Sequence, residues 1–240
     1  MDIIVNGCTG AMGKVLTELI NADESLNLAA GVSRSCPEYS ALGEYLGPAD
    51  CVIDFSNHSN TDELLSYCKE RRLPLVIATT GQTEEEKAAI YEAAEKIPVF
   101  YSGNMSLGIA LLVELAKQAA KVFPDADIEI IERHHNRKID APSGTALMLA
   151  DAIREVRPEA TCNLSRSEGG KRTKREIGIH AVRYGSEVGT HEVIVASNSQ
   201  VITLKHEAET RALFAEGALS AAAFLINQKP GLYSMKDLTR

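Results

Sequence analysis

The chain has 240 residues, of which 45% are hydrophobic and 24% charged, a mixture typical of globular proteins and unlike disordered, collagen-like or coiled-coil chains. Its net charge of −8 disfavours nucleic acid and anionic lipid as partners, although a local basic pocket for a small anion remains compatible with it. Five cysteines without a Cys-x-x-Cys pair favour a reducing compartment, the cytoplasm, over a disulfide framework or zinc ribbon. With no apolar run of membrane-spanning length and no signal-peptide pattern at the N-terminus, we expect no membrane partner.

Strand-like and helix-like segments alternate along the first hundred residues. Strands are predicted at 3–5, 28–32, 51–55, 75–78 and 99–101. Helices are predicted at 13–21, at 62–71 with Ser59 or Asn60 as the cap, and from a capping box that Thr83 begins. Because strands alternating with helices form βαβ units, this segment predicts an α/β fold with a Rossmann-type, doubly wound parallel sheet.

The second half of the chain has a different order of predicted helices and strands. Helices are predicted at 107–123, 143–156 and 211–226, and strands at 128–133, 177–182, 192–197 and 201–208, with a hairpin turn at 197–199. Residues 163–175 are polar and glycine-containing, which predicts a mobile loop. We therefore expect a dinucleotide-binding domain at 1–105, completed by 213–240, and an α+β substrate-binding and oligomerisation domain at 106–212 with a mixed or antiparallel sheet.

A glycine cluster follows the first predicted strand. Gly10 and Gly13 match the last two positions of the G-x-G-x-x-G fingerprint, Cys8 occupies the first, and Gly7 precedes it. Glycines let the backbone approach a pyrophosphate, whose charge is met by amides at the helix start. The strand before and the helix after the cluster favour a dinucleotide site over a tight turn without a ligand.

The second predicted strand ends in Ser33 and Arg34, where the fingerprint usually has an acid for the ribose hydroxyl. A hydroxyl and a guanidinium suit a 2′-phosphate better, so NADPH is the expected cofactor and NADH a possible one, unless Arg34 is only a solvated loop charge. The loops at 79–81 and 102–105 follow later strands. Because ligands bind beyond the carboxyl ends of such strands, these loops are placed to hold the nicotinamide and its ribose, although each also fits an ordinary turn.

The segment 132–145, ERHHNRKIDAPSGT, concentrates histidines, cations and acids at a strand end. His134 and His135 point to opposite sides of an extended backbone, so one could transfer a proton while the other orients a ligand. Lys138 offers a cation or a proton donor. Ser143–Thr145 begin a helix and offer amides and hydroxyls for a carboxylate or phosphate. A solvated loop is the alternative.

A metal site was weighed for the same segment, with His134, His135 and perhaps His191 as ligands. The pattern lacks an i, i+4 histidine pair and a thiolate partner, and the neighbouring cations would repel a metal ion. We therefore predict no metal.

At this point the sequence resembles the dihydrodipicolinate reductase family, also described as 4-hydroxy-tetrahydrodipicolinate reductases, which serve the diaminopimelate route to lysine. The resemblance is carried by EIIERHHNRKIDAPSGTAL in the centre and by NGCTGAMG, TTG, SGNMSLG, HEVIVAS and PGLYSMKDL elsewhere. It therefore covers the whole chain, and its central block is long and specific.

The resemblance implies a function and a set of site residues. The reaction would reduce a small cyclic dicarboxylate with NAD(P)H, in a homotetramer built by strands of the second domain. His134 would be the proton donor, Lys138 a second one, and substrate would contact His135, Ser143, Gly144 and Thr145. The residues implied for the cofactor are Gly7, Cys8, Thr9, Gly10, Ala11, Met12, Ser33, Arg34, Ala78, Thr79, Thr80, Ser102, Gly103, Asn104 and Met105. Many members carry an acid near Ser33, and its absence here argues against strong NADH use.

Two other interpretations were considered. The first is another Rossmann-type reductase, such as a semialdehyde dehydrogenase with Cys162 as the acylating thiol, but no glycine- or asparagine-rich setting surrounds that cysteine. The second is an NADP-binding sensor, which would have no need of proton donors.

Overall fold

The computed structural model describes residues 1–164 and 169–239. The chain forms two compact units, one comprising Met1–Leu107 with Arg211–Arg240 and the other Gly108–Thr210. We call them unit 1 and unit 2.

Unit 1 contains a six-stranded sheet in which every pairing is parallel. Its strands are β1 (Asp2–Asn6), β2 (Asn27–Val32), β3 (Cys51–Asp54), β4 (Leu75–Ile77), β5 (Pro98–Tyr101) and β11 (Gly231–Tyr233), in the order β11-β5-β4-β3-β1-β2. The order reverses between β1 and β3, which is where ligands bind in open α/β sheets.

Helices surround this sheet: α1 (Ala11–Ala22), α2 (Thr61–Arg71), α3 (Glu84–Ala94) and α6 (Ala212–Leu225). α6 packs on β3, β4 and β5, and residues of α2 and α3 join the core on the sheet. Because the strands are covered in this way, their sequences are runs of apolar residues. The predicted Rossmann-type fold is confirmed.

Unit 2 contains a mixed five-stranded sheet in the order β10-β9-β6-β8-β7. Its strands are β6 (Asp127–His134), β7 (Thr161–Asn163), β8 (Glu176–Arg183), β9 (Gly189–Ala196) and β10 (Val201–Ala208). The central strand β6 pairs parallel to β8 and antiparallel to β9. The prediction of a mixed sheet is confirmed.

The sheet of unit 2 buries one face under α4 (Leu107–Val122) and α5 (Gly144–Val156). Ile128 and Ile130 lie in that core. Alternation along β6 places Glu129, Ile131 and Arg133 on the opposite face, where they are half-buried.

Several local predictions need correction. Asn60 occupies the N-cap position of α2, one of the two predicted, but its side chain makes no capping hydrogen bond. Asn57 accepts the backbone N–H of Ser59 and caps the short 3₁₀ turn that precedes the helix. The strands β7 and β11 were not predicted.

In the predicted loop 163–175, residues 165–168 lie outside the described residues, while the Arg172 guanidinium pairs with Asp127 and Glu129. The capping box of Thr83 and Glu86 is confirmed.

Candidate active site

The glycine loop of unit 1 joins β1 to α1, and its backbone packs too tightly for side chains. Gly7 has φ +88°, and a Cβ there would lie 2.5 Å from the carbonyl oxygen of Phe55. A Cβ on Gly13 would lie 2.1 Å from the carbonyl oxygen of Gly7. Glycine is therefore required at both positions, as in a loop that lets a phosphate approach the backbone.

A cavity of about 600 Å³ opens beside this loop. It lies at the carboxyl ends of β1, β2 and β3, where the strand order reverses. Five residues predicted to bind the cofactor line it: Gly7, Thr9, Gly10, Ser33 and Arg34. The position and these residues fit a dinucleotide.

Hydroxyl groups cluster at one side of this cavity. Thr9 Oγ1 lies 2.7 Å from Ser33 Oγ and 2.8 Å from Ser35 Oγ. The Arg34 guanidinium donates to Asn60 Oδ1 at 3.3 Å. The cluster combines one cation with several hydroxyls, a combination suited to a phosphate, although Glu63 also lines the cavity.

The remaining predicted cofactor residues are not among the lining residues of this cavity. Cys8, Ala11 and Met12 belong to the same loop and the first turn of α1. The segments 78–80 and 102–105 follow β4 and β5, so they lie at the same edge of the sheet. Within them, Thr79 is buried, and Met105 is buried against Gly217 of α6.

The cavity also contains residues that the sequence reasoning missed: Asn6, Ser40, Phe55, Ser56, Asn57, Ser59, Asn60 and Glu63. Several of them follow β3. The rule that ligands lie beyond the carboxyl ends of strands was applied to β4 and β5, and the same rule applied to β3 would have found them.

In unit 2, a fully buried carboxylate organises the predicted catalytic cluster. Glu132 accepts hydrogen bonds from His134 Nδ1 at 2.6 Å and from both terminal nitrogens of Arg183 at 2.7 Å. Burial alone would raise the pKa of Glu132, but the hydrogen bonds from His134, Arg183 and Ser143 lower it to about 2. The carboxylate is therefore ionised at neutral pH.

Glu132 also contacts the start of α5. The backbone N–H of Ser143 donates to Glu132 Oε1 at 3.0 Å, and the hydroxyl of Ser143 caps the helix by accepting the N–H of Ala146. The first turn of a helix presents N–H groups without intrahelical partners, and the carboxylate of Glu132 lies against the start of α5.

His191 lies next to both groups. Its Nε2 is 2.9 Å from Ser143 Oγ, and its ring packs edge-on against His134 with centroids 5.1 Å apart. Burial first, and the nearby charge of His134 second, lower the pKa of His191 to about 4. His191 is therefore neutral at physiological pH.

The other predicted residues lie on the loop between β6 and α5. Lys138 Nζ is 2.8 Å from Asp140 Oδ1, and this contact lowers the pKa of Asp140. The backbone N–H of His135 donates to the carbonyl oxygen of Glu187 at 2.8 Å. The loop is therefore held at both ends. The carbonyl oxygen of Glu187 binds it at His135, and the Arg183 guanidinium donates to the carbonyl oxygen of Asp140.

The sequence reasoning assigned no role to Glu132 or Arg183. Glu132 and His134 are two residues apart on a strand, so they share a face, and that spacing could have identified the pair. Arg183 is on β8, and no local pattern connects it to Glu132.

Over the residues that the structure describes, no group of three or more His, Cys, Asp or Glu side chains is placed to hold a metal ion.

Among the residues that the structure describes, no helix is both long enough and apolar enough to cross a lipid bilayer.

The two units define the class of the protein: a Rossmann-type oxidoreductase with a separate α+β unit that carries acid–base groups. The family model for the dihydrodipicolinate reductase N-terminus matches residues 1–105, and the model for the C-terminus matches residues 108–239. The chain therefore belongs to the dihydrodipicolinate reductase family, whose members depend on NAD(P)H.

Individual relatives agree with this assignment. The 4-hydroxy-tetrahydrodipicolinate reductase of Caldanaerobacter subterraneus subsp. tengcongensis is 49% identical and covers 99% of this chain and 98% of its own. That of Clostridium novyi is 43% identical over the same shares. The dipicolinate-bound dihydrodipicolinate reductase from Paenisporosarcina sp. TG-14 superposes with a TM-score of 0.82 at 25% identity, covering 99% of both chains.

The family assignment excludes the two alternative interpretations, the semialdehyde dehydrogenase and the sensor. The chemistry of Cys162 agrees, because desolvation raises the pKa of this thiol, whereas an acylating nucleophile needs a lowered one.

Proposed function

We propose that this chain catalyses the NAD(P)H-dependent reduction of 4-hydroxy-tetrahydrodipicolinate to tetrahydrodipicolinate, with the 4-hydroxyl group leaving as water, in the diaminopimelate route to lysine. The observation that carries the proposal is the buried network of Glu132, His134 and Ser143, which joins a proton-transferring histidine to the start of a helix. A dicarboxylate that accepts a hydride needs those two features together, an acid and an anion site.

His134 is proposed as the proton donor and Lys138 as a second donor. His135, Ser143, Gly144 and Thr145 are proposed to bind the substrate carboxylates. The N–H and hydroxyl of Ser143 are already engaged by Glu132, Ala146 and His191, so its main contribution is to hold the helix start in place. Gly144 and Thr145, in the first turn of α5, are proposed to contact the substrate anion at the helix start.

The cavity beside the glycine loop is proposed to hold NADPH in preference to NADH. The bound cofactor supplies the hydride. Arg34 and the hydroxyls of Thr9, Ser33 and Ser35 would bind the 2′-phosphate, while Gly7 to Met12 admit the pyrophosphate. The segments 78–80 and 102–105, at the same edge of the sheet, would position the nicotinamide and its ribose.

A coupled assay tests the function. The substrate is generated from pyruvate and aspartate semialdehyde by an aldol synthase, and the loss of absorbance of the reduced nicotinamide is followed. We expect turnover with the purified chain, and roughly 10²–10⁴-fold slower turnover with His134→Gln, because general acid catalysis contributes that much. Lys138→Ala should also slow turnover.

The control is cofactor binding, measured by fluorescence titration of NADPH, which neither substitution should change. Wild-type turnover in both variants would overturn the assigned roles, and no NADPH consumption by the wild-type chain would overturn the function.

A charge reversal tests the cofactor preference. Arg34→Glu should weaken NADPH binding by about tenfold or more and leave NADH nearly unchanged, because the lost charge faces only the extra phosphate. The matched control is Lys229→Glu, an exposed cation of the same unit that does not line the cavity. Equal effects on both cofactors would contradict the assignment.

A further inference from the structure

We propose that Glu132 is a positioning residue which fixes the tautomer of His134, with Arg183 holding the carboxylate in place. The inference deepens the proposed function, because it takes His134 as the proton donor. It concerns which ring nitrogen faces the substrate, a property that can be measured without any turnover.

The hydrogen bonds to Glu132 leave only one tautomer. Arg183 donates to both carboxylate oxygens and the Ser143 N–H donates to Oε1, so every other partner of this carboxylate is a donor. An ionised carboxylate can only accept, so the contact of 2.6 Å with His134 requires a hydrogen on Nδ1. Nε2 is then the ring nitrogen that exchanges a proton with substrate.

The surroundings of Nε2 agree with this role. A Cβ on Gly189 would lie 2.9 Å from His134 Nε2, so glycine at this position keeps a side chain from crowding that atom. The His134 side chain keeps 11% of its surface exposed, whereas that of Glu132 keeps none. The carboxylate is therefore closed off from solvent and acts through the groups that it binds, among them the histidine.

Arg183 makes the arrangement stable. A buried carboxylate without a cation would be costly, and the paired guanidinium offsets that cost while fixing both oxygens. The parallel pairing of β6 and β8 sets His134 opposite Arg183, so the sheet itself brings the cation to the carboxylate.

Replacing the carboxylate by an amide should reverse the tautomer. At the Oε1 position an NH₂ group would face two donors, Ser143 N–H and Arg183. At the Oε2 position it would face one donor from Arg183 and could donate to Nδ1 of His134. The NH₂ group of the amide in Glu132→Gln therefore takes the Oε2 position and donates to Nδ1 of His134. Neutral His134 then carries its hydrogen on Nε2.

The experiment uses the full-length chain with ¹⁵N-labelled histidine, without substrate or cofactor, and reads the tautomer from long-range ¹⁵N–¹H spectra. His134→Gln assigns the signal. We expect the Nδ1–H form in the wild-type chain and in Glu132→Asp, and the Nε2–H form in Glu132→Gln. The matched control is Glu192→Gln, whose carboxylate pairs with Arg133 on the opposite face of the same sheet.

Turnover gives the second measurement. Glu132→Gln should lower kcat roughly 10²–10⁴-fold, the loss seen when a catalytic histidine has the wrong tautomer, while the affinity for NADPH stays within twofold. Glu132→Asp should recover part of the rate. Glu192→Gln should leave both tautomer and rate unchanged.

The outcomes separate the two proposals. An Nε2–H tautomer in the wild-type chain, or an unchanged tautomer in Glu132→Gln, overturns the positioning role whatever the reaction is. The expected tautomers in a chain that does not consume NADPH would overturn the proposed function alone. If Glu132→Gln does not fold, the double variant Glu132→Gln/Arg183→Met, which leaves no unpaired buried cation, is measured instead.

Discussion

His191 couples acid stability to the network around Glu132. This side chain is 5% exposed, and burial lowers its pKa from 6.5 to about 4. Below pH 6.5 the unfolded chain binds a proton at His191 that the folded chain does not accept. The free energy of unfolding therefore decreases as the pH is lowered from about 6.5 to about 4. Between pH 7.5 and pH 5 this protonation lowers the free energy of unfolding of the wild-type chain by about 2 kcal/mol, and we expect His191→Gln to abolish that decrease, as measured by urea unfolding. The same pH dependence in His191→Gln as in the wild-type chain would contradict this prediction.

The same residue illustrates what the sequence could and could not provide. The dense segment 132–145 indicated His134, Lys138 and the helix start as candidates, because their chemistry is visible in the residue types. The neutral state of His191 results chiefly from its burial in unit 2, where its ring contacts Ser143, 48 residues away along the chain. Such long-range contacts leave no local pattern, which is why His191 was considered only as a metal ligand.

At the scale of elements, the turn from β1 into α1 is the most constrained segment of unit 1. Gly13→Ala would place a Cβ against the Gly7 carbonyl oxygen, where only a backbone shift can relieve the contact. We expect a loss of about 1–3 kcal/mol in the free energy of unfolding and weaker NADPH binding, by thermal unfolding and titration. The matched control is Gly43→Ala, where a Cβ would meet no atom within 4 Å. Equal effects at both glycines would contradict the role assigned to this turn.

Elements with a strong local signal were predicted and those without one were missed. The helix at Thr83 was found because its capping box is local, and β3 because it is a continuous buried run. The strands β7 and β11 have three residues each and owe their conformation to pairing with β8 and β5. Propensity cannot identify such short strands, because tertiary pairing decides them.

For the whole molecule, the sequence predicted both kinds of sheet because the periodicity changes along the chain, from alternating strands and helices to consecutive strands. It could not predict which strands pair. The central position of β6, parallel to β8 and antiparallel to β9, follows from the arrangement of the entire sheet. Because α4 and α5 pack on one face of this sheet, Glu129, Ile131 and Arg133 lie half-buried on its second face.

The homotetramer remains a prediction, and this second face of the sheet is where we expect it to form. Ile131 and Ile194 lie there half-buried, and Val182 is 41% exposed. A second copy of the chain would bury the remaining exposed surface of these apolar side chains, each contributing less than the roughly 1.5–3 kcal/mol of a fully exposed one. We expect a tetramer by light scattering for the wild-type chain and smaller species for Ile131→Asp, because an unpaired buried charge opposes association. Leu46→Asp, at an 81% exposed leucine of unit 1, should leave the mass unchanged. A monomeric wild-type chain would contradict the prediction, and a tetrameric Ile131→Asp would place the interface elsewhere.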